Sequence, residues 1–284
     1  ACPASADCAA GGRRSRARGR ARAGVEARVS PVRVDGADGA DGADGADGAD
    51  GVRVWRVDLD RAGASRGWRL LSGEERERAL AFADAAERRR YVVAHAALRT
   101  VLGGVCGIPP AGLAFARDDS GRPCLLPADG GPADGGAADG GAADGGAADG
   151  GAADGGAGLD FNLSHSGGWA LVAVAPPGAR VGVDVERVRA DADHLALARR
   201  FYQPEETARV KAAGPGEFFR LWTAKEAYVK VSGAGLAALS DVLVRERSAT
   251  HATVLSRSAR FPECRVRWLD VAPGYAAAVV TAAA

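Results

Sequence analysis

Two stretches of this chain offer almost nothing to bury, and they limit where a fold can form. From Asp35 to Gly51 the sequence repeats Asp-Gly-Ala, and from Ala128 to Gly158 it runs through near-copies of Ala-Asp-Gly-Gly-Ala. Such tracts cannot offset the entropy of ordering their own backbone, so both are expected to be disordered. The first falls short of a collagen repeat because it lacks proline. The second matches neither an EF-hand loop nor a calcium-binding nonapeptide repeat. Six arginines lie between Arg13 and Arg22 with no apolar segment after them, so residues 1–51 read as a disordered basic extension rather than a targeting signal.

Residues 52–127 and 159–284 remain, enough for one substantial domain or two small ones. The chain has 37 basic and 36 acidic residues; the excluded tracts hold 8 and 14 of these, leaving 29 against 22. The ordered part is therefore basic and suits phosphates or an acidic partner. Cys2, Cys8, Cys106, Cys124 and Cys264 form no C-x-x-C pair, which argues against a disulfide framework and a zinc site. No apolar run reaches the roughly eighteen residues that a membrane span needs, so a cytoplasmic protein without a membrane partner is expected. The arginines are not interleaved with an aromatic stacking platform, which argues against nucleic acid.

Alternation of apolar residues predicts a strand over 52–59. Ser72 followed by Glu75 has the form of a capping box and predicts a helix towards Phe82. A second helix is predicted over 87–102, ending around Gly103-Gly104. Arg88, Arg89 and Arg90 open that helix, where cations oppose the dipole, so a nearby anion is expected. Leu113 to Ala116 reads as a short strand and Asp119 to Pro123 as a turn. Strands are predicted over 159–163 and 169–175, with Ser164-His165-Ser166-Gly167-Gly168 as their connection. A third strand over 181–186 puts Val181, Val183 and Val185 on one face and Asp184 and Glu186 on the other. Helices follow over 194–201, 204–212 and 217–230, then strands at 242–245, 251–255, 264–270 and 275–281.

Two groups of residues carry chemistry. Asp184 and Glu186 lie about 7 Å apart along one strand face, close enough for both side chains to reach one cation. In Leu221 to Lys230, L-W-T-A-K-E-A-Y-V-K, Glu226 and Lys230 are four apart and share a helix face, with Lys225 about 100° round. Three carboxylates from a strand and a helix suit a hard cation such as Mg2+, with a pyrophosphate completing its shell. There is no G-x-S-x-G elbow and no G-x-x-x-x-G-K loop, and Gly233-x-Gly235 follows a helix where a dinucleotide fingerprint needs a strand.

Taken together, Gly121-Arg122-Pro123, Phe161-Asn162-Leu163-Ser164-His165-Ser166-Gly167, Gly182-Val183-Asp184-Val185-Glu186 and the Leu221 to Lys230 helix make this chain resemble the Sfp-type 4'-phosphopantetheinyl transferases. The resemblance implies an α+β (α/β) fold of two similar halves packed as an intramolecular pseudo-dimer, here 52–127 and 159–284, and a monomer. It implies transfer of the 4'-phosphopantetheine arm of coenzyme A to a serine of an acyl or peptidyl carrier protein, with release of 3',5'-ADP. Asp184, Glu186 and Glu226 would bind Mg2+. His165, with Ser164 beside it, would contact coenzyme A at the nucleotide phosphates, and Lys230 would lie near the pyrophosphate. Arg90 and Arg78 would face the 3'-phosphate, and Gly121, Arg122 and Pro123 would line the adenine pocket. Glu226 would be the general base, directly or through a water on the metal, with Lys230 stabilising charge and Lys225 positioning Glu226 or the phosphates. Glu75 departs from the pattern, standing where some members carry a basic residue. A coenzyme A-binding module without activity and a Mg2+-dependent phosphohydrolase are the competing readings.

Overall fold

A computed structural model describes residues 29–31, 51–61, 64–118, 121–126, 158–256 and 263–283. Apart from residues 29–31, 51 and 158, both tracts expected to be disordered lie outside this set. Within the N-terminal extension, against that expectation, β1 (Val29–Pro31) pairs antiparallel with β2 (Arg53–Asp58). After β2 come α1 (Ala64–Gly67), α2 (Gly73–Ala81), α3 (Ala85–Cys106), and the hairpin of β3 (Phe115–Arg117) and β4 (Pro123–Leu125). The chain continues through β5 (Asp160–Ser166), β6 (Trp169–Ala175), β7 (Ala179–Arg187), α4 (His194–Phe201), α5 (Pro204–Ala213) and α6 (Pro215–Ser232). It ends in β8 (Val242–Glu246), β9 (His251–Ser256), β10 (Cys264–Trp268) and β11 (Tyr275–Ala283). The strands form one sheet ordered β1-β2-β6-β5, a second ordered β7-β11-β10-β9-β8, and the small β3-β4 pair.

The layers follow from period-two alternation. On β6, Ala170, Val172 and Val174 face a core shared with α3 residues such as Ala94, Leu98 and Leu102. The intervening Leu171, Ala173 and Ala175 pack on Val181, Val183 and Val185 of β7 and on Ala277 and Val279 of β11. The far face of the second sheet, including Ala278, Val280 and Val254, is covered by α6 through Leu221, Ala224 and Ala227. The order is therefore helix, sheet, sheet, helix, and the chain changes sheets between β6 and β7. Strands 160–166 and 169–175 thus belong with β2 rather than with the strands that follow them.

The Ser72 capping box is present: Ser72 Oγ accepts from the Glu75 N–H (3.2 Å) and Glu75 Oε2 accepts from the Ser72 N–H (2.8 Å). α3 runs past the expected stop at Gly103-Gly104 to Cys106, and Gly107 caps it in the left-handed conformation. Gly103 stays helical because the next turn crosses it closely; a Cβ there would sit 2.6 Å from the Ile108 carbonyl oxygen. At its other end α3 begins at Ala85, capped by Asp84, so Arg88 to Arg90 lie beyond the first turn and the dipole no longer opposes them. The expected anion is Asp60, which accepts from Arg89 (3.3 Å) and Arg90 (3.0 Å).

Glu75, the departure from the family pattern, is held by Arg99 Nε at 2.7 Å and by His95 Nδ1 at 3.3 Å. Burial opposes its ionisation, but the hydrogen bonds from His95 and the Ser72 N–H and the charges of His95 and Arg99 prevail, bringing its pKa from 4.5 to about 2. A depressed folded pKa gives stability that is complete above the unfolded value near 4.5 and is lost as pH falls towards 2. Glu75→Gln is expected to flatten the acid limb of melting temperature against pH in that window. An unchanged limb in thermal melts would contradict the pairing.

Candidate functional site

The site is built along a seam between two sheet edges. β7 pairs with β11 on one side only, so its other edge presents N–H groups that need partners. β5 supplies them from alternate side chains. The Val181 N–H donates to Asp160 Oδ2 (2.6 Å), Val183 to Asn162 Oδ1 (2.8 Å), Val185 to Ser164 Oγ (3.4 Å) and Arg187 to Ser166 Oγ (3.1 Å). Ser164, His165 and Ser166 are therefore strand residues, paired with Leu171, Ala170 and Trp169, and not part of the connection as their glycine-rich surroundings suggested. The connection is Gly167-Gly168 alone, with Gly167 at φ +54°, and the Gly168 N–H donates to the Tyr275 hydroxyl (3.2 Å).

Two serines of this ladder also hold carboxylates. Ser164 Oγ donates to Asp184 Oδ1 and Ser166 Oγ to Glu186 Oε2, each at 2.8 Å. Asp184 is buried, and among the described residues its Oδ2 finds no hydrogen-bond donor. Burial and the Asp184 charge push the Glu186 carboxyl up to about 7, against the Ser166 hydrogen bond and the charges of Lys230 and Arg189.

α6 faces this pair. Pro215 opens it, and Gly233 in the left-handed conformation closes it. From Phe218 to Val231 it is buried nearly all round although it carries Lys225, Glu226 and Lys230. Charges in such a helix need partners. Lys230 Nζ donates to Asp184 Oδ1 (2.8 Å) and to the Val183 carbonyl (3.2 Å). Glu226 lies one turn earlier and is 9% exposed. Its charge, after burial and Glu206, helps raise the Tyr202 hydroxyl far above its ordinary range.

Lys225 does not join this cluster. Its ammonium, fully buried, meets Glu206 Oε2 at 2.7 Å and donates to the carbonyls of Leu239 (3.3 Å) and Val242, with the Tyr202 ring 4.7 Å away. Burial pulls its pKa down while Glu206 pulls it back. Breaking a buried pair costs about 3–5 kcal/mol because the remaining charge is stranded. Lys225→Met is therefore expected to lower the melting temperature sharply, and Lys225→Met with Glu206→Gln to recover much of the loss. A single variant melting like the parent in calorimetry would contradict this.

His165 faces α3 from β5. Burial lowers its pKa, helped by the charges of His95 and Lys230 and opposed by Glu87 and Asp184. Its ring therefore feels charges both from α3 and from the seam. Arg90 lies at that start, bound to Asp60 and to Glu87 Oε1 (2.7 Å), and Asp60 raises its pKa further. Arg78 is exposed in the last turn of α2. Gly121, at φ +83°, and Pro123 lie at the tip of the β3-β4 hairpin. Between them Arg122 is only 1% exposed and turns inward, donating to the Val231 carbonyl at the end of α6 (2.7 Å), the Val181 carbonyl (3.3 Å) and Asp160 Oδ2 (3.3 Å). Its guanidinium ties the hairpin to both sheets and to α6.

Among the described residues no group of three His, Cys, Asp or Glu side chains could hold a metal ion, so Asp184, Glu186 and Glu226 do not form a ready ligand set here. The chemistry nevertheless fits a cation. A buried carboxylate oxygen without a hydrogen-bond partner among the described residues, beside a carboxyl that burial and the Asp184 charge push up to about 7, is a negative site short of positive charge, and its donors are oxygens, as hard cations prefer. Sequence reasoning missed Asp60, Asp160, Asn162, Ser166 and Glu206. Only the 160–166 stretch carried a signal, the polar residues at every second position of D-F-N-L-S-H-S.

Residues 180–280 match the model of the 4'-phosphopantetheinyl transferase superfamily. The chain is 33% identical to the 4'-phosphopantetheinyl transferase HetI of Nostoc sp., over 67% of this chain and 72% of that protein. It is 26% identical to a 4'-phosphopantetheinyl transferase of Bacillus subtilis, covering 81% of this chain and 92% of the relative. Against the 4'-phosphopantetheinyl transferase Sfp of the same species the figures are 27%, 75% and 88%.

Proposed function

This chain belongs to the 4'-phosphopantetheinyl transferase superfamily, and from that membership we infer that it transfers the 4'-phosphopantetheine arm of coenzyme A to a serine of a carrier protein, releasing 3',5'-ADP. It is a transferase with coenzyme A as substrate. The observation that carries the site assignment is Asp184. One oxygen of this buried carboxylate meets Ser164 and Lys230, while the other finds no hydrogen-bond donor among the described residues.

On this reading Asp184, Glu186 and Glu226 hold Mg2+, which when bound offsets charge on the pyrophosphate. Lys230 donates to the phosphoryl oxygens; its ammonium is already directed at the carboxylates by the Val183 carbonyl. Glu226 takes the proton of the attacking serine hydroxyl as its oxygen bonds to the β-phosphorus and 3',5'-ADP departs. Lys225 serves by position, its pair with Glu206 fixing the rotation of α6 and so the aim of Glu226 and Lys230. His165 and Ser164 bind coenzyme A at its phosphates. Arg90 and Arg78 receive the 3'-phosphate end, Arg90 exchanging part of its pairing with Asp60 for it. Gly121 and Pro123 line the adenine pocket, and buried Arg122 holds that hairpin in place.

The same reading takes the two helix-backed sheets as the halves of a pseudo-dimer within a monomer, with β5 and β6 joining the first half rather than the second, where the 52–127 and 159–284 division placed them, and with the site at the seam where the halves meet. The basic balance of the ordered part suits an acyl or peptidyl carrier protein with an acidic surface.

Transfer is tested by incubating the full chain with coenzyme A, Mg2+ and an apo carrier protein, and weighing the carrier protein by mass spectrometry. Addition of the arm, with 3',5'-ADP appearing only when carrier protein is present, is the expected result. Release of 3',5'-ADP without carrier protein would favour a phosphohydrolase, and coenzyme A binding without transfer an inactive module.

A further inference from the structure

The seam ladder changes chemistry along its length. Its first two rungs, Asp160 and Asn162, accept N–H groups of β7 with a side-chain oxygen. Its last two are serines, and only a hydroxyl can accept and donate through one atom. The change falls where β7 begins to carry carboxylates. Ser166 Oγ takes the Arg187 N–H at 3.1 Å and delivers its single hydrogen to Glu186 Oε2 at 2.8 Å. The backbone bond orients the hydroxyl, and the hydroxyl orients the carboxylate. Glu186 lies at the partly exposed end of the seam, where packing alone holds it less firmly than Asp184.

We propose that Ser166 is a positioning residue for Glu186, anchoring Oε2 and leaving Oε1 to a divalent cation. The proposal rests on the assignment of Glu186 as a cation ligand. Its physical basis is general: a ligating carboxylate held by an outer hydrogen bond does not have to be ordered when the ion binds, and loss of such a bond weakens metal affinity about 10–100-fold. Ser166 acts through Glu186 and touches neither substrate nor the reacting atoms.

The test is a Mn2+ titration of the full chain with coenzyme A present, followed by water-proton relaxation, alongside the Mg2+ concentration for half-maximal transfer. Ser166→Ala is expected to weaken Mn2+ binding and to raise that Mg2+ concentration, each roughly tenfold. Ser166→Thr, which keeps the hydroxyl, should restore both. Should Ser166→Ala fail to fold, Ser166→Cys replaces it, since a thiol is a weak donor of similar size. Asn162→Ala is the control for the ladder itself: it should lower the melting temperature without changing Mn2+ affinity. Parental Mn2+ binding in Ser166→Ala, or equal weakening in Asn162→Ala, overturns the proposal. Glu186→Gln separates the two layers of argument. If it weakens Mn2+ binding while Ser166→Ala does not, only the role of Ser166 fails; if it too binds as the parent, the ligand assignment beneath it fails.

Discussion

Asp184→Asn is expected to reduce transfer to a carrier protein by at least about a hundredfold while the protein still folds. The two halves of that expectation come from different atoms of one side chain. Oδ1 is structural, receiving the Ser164 hydroxyl and the Lys230 ammonium, both at 2.8 Å. An asparagine carbonyl oxygen can accept both bonds. Oδ2 is buried without a hydrogen bond from the described residues, and the charge it helps to carry adds to burial in raising Glu186. Asparagine removes that charge, so a cation held as proposed would lose a buried ligand and Lys230 its counter-charge. Alanine would be a poorer probe, because it removes the acceptor of the Ser164 and Lys230 hydrogen bonds together with the charge. The measurement is mass-detected transfer at saturating coenzyme A and Mg2+, with circular dichroism melts of the same preparation. Parental transfer by Asp184→Asn would remove Asp184 from the site.

Gly182→Ala should be the most damaging single methyl group in the C-terminal half. A Cβ at this position would lie 2.0 Å from the Ala227 carbonyl oxygen and 3.0 Å from its carbonyl carbon. Those are backbone atoms in the middle of α6, so no rotamer change can relieve the clash; helix and strand must part. Overpacking of this kind costs about 1–3 kcal/mol or more, which in a domain of this size lowers the melting temperature by roughly 2–12 °C. The same displacement would draw Lys230 from Asp184, so transfer should fall further than the loss of folded protein explains. Calorimetry together with transfer per folded molecule checks both parts. A parental melting temperature would show that α6 does not cross β7 at this glycine.

Sequence by itself determined the elements whose signals are local. The Ser72–Glu75 box, the apolar alternation of Val181, Val183 and Val185, and the helical spacing of Leu221 to Lys230 all sit within a few residues of what they specify. It also brought Asp184, Glu186, Glu226 and Lys230 forward as candidates, because i, i+2 and i, i+4 spacings fix which side chains share a face. Family resemblance then gave those candidates a substrate.

Tertiary structure decided what each charge faces. Lys225 and Lys230 are five apart on one helix, yet one meets Glu206 and the other Asp184, since α6 is enclosed on every side and α5 and β7 approach it from different directions. Arg122 has its guanidinium at the junction of hairpin, seam and helix, partners that its place in a Gly-Arg-Pro turn does not specify. The polar alternation of Asp160, Asn162, Ser164 and Ser166 has the form of a solvated strand face, but that face is buried against the open edge of β7. No local rule could distinguish these outcomes, because an unpaired N–H on one strand and an acceptor on another, about twenty residues away, become partners only when the face of one sheet is laid against the edge of the other.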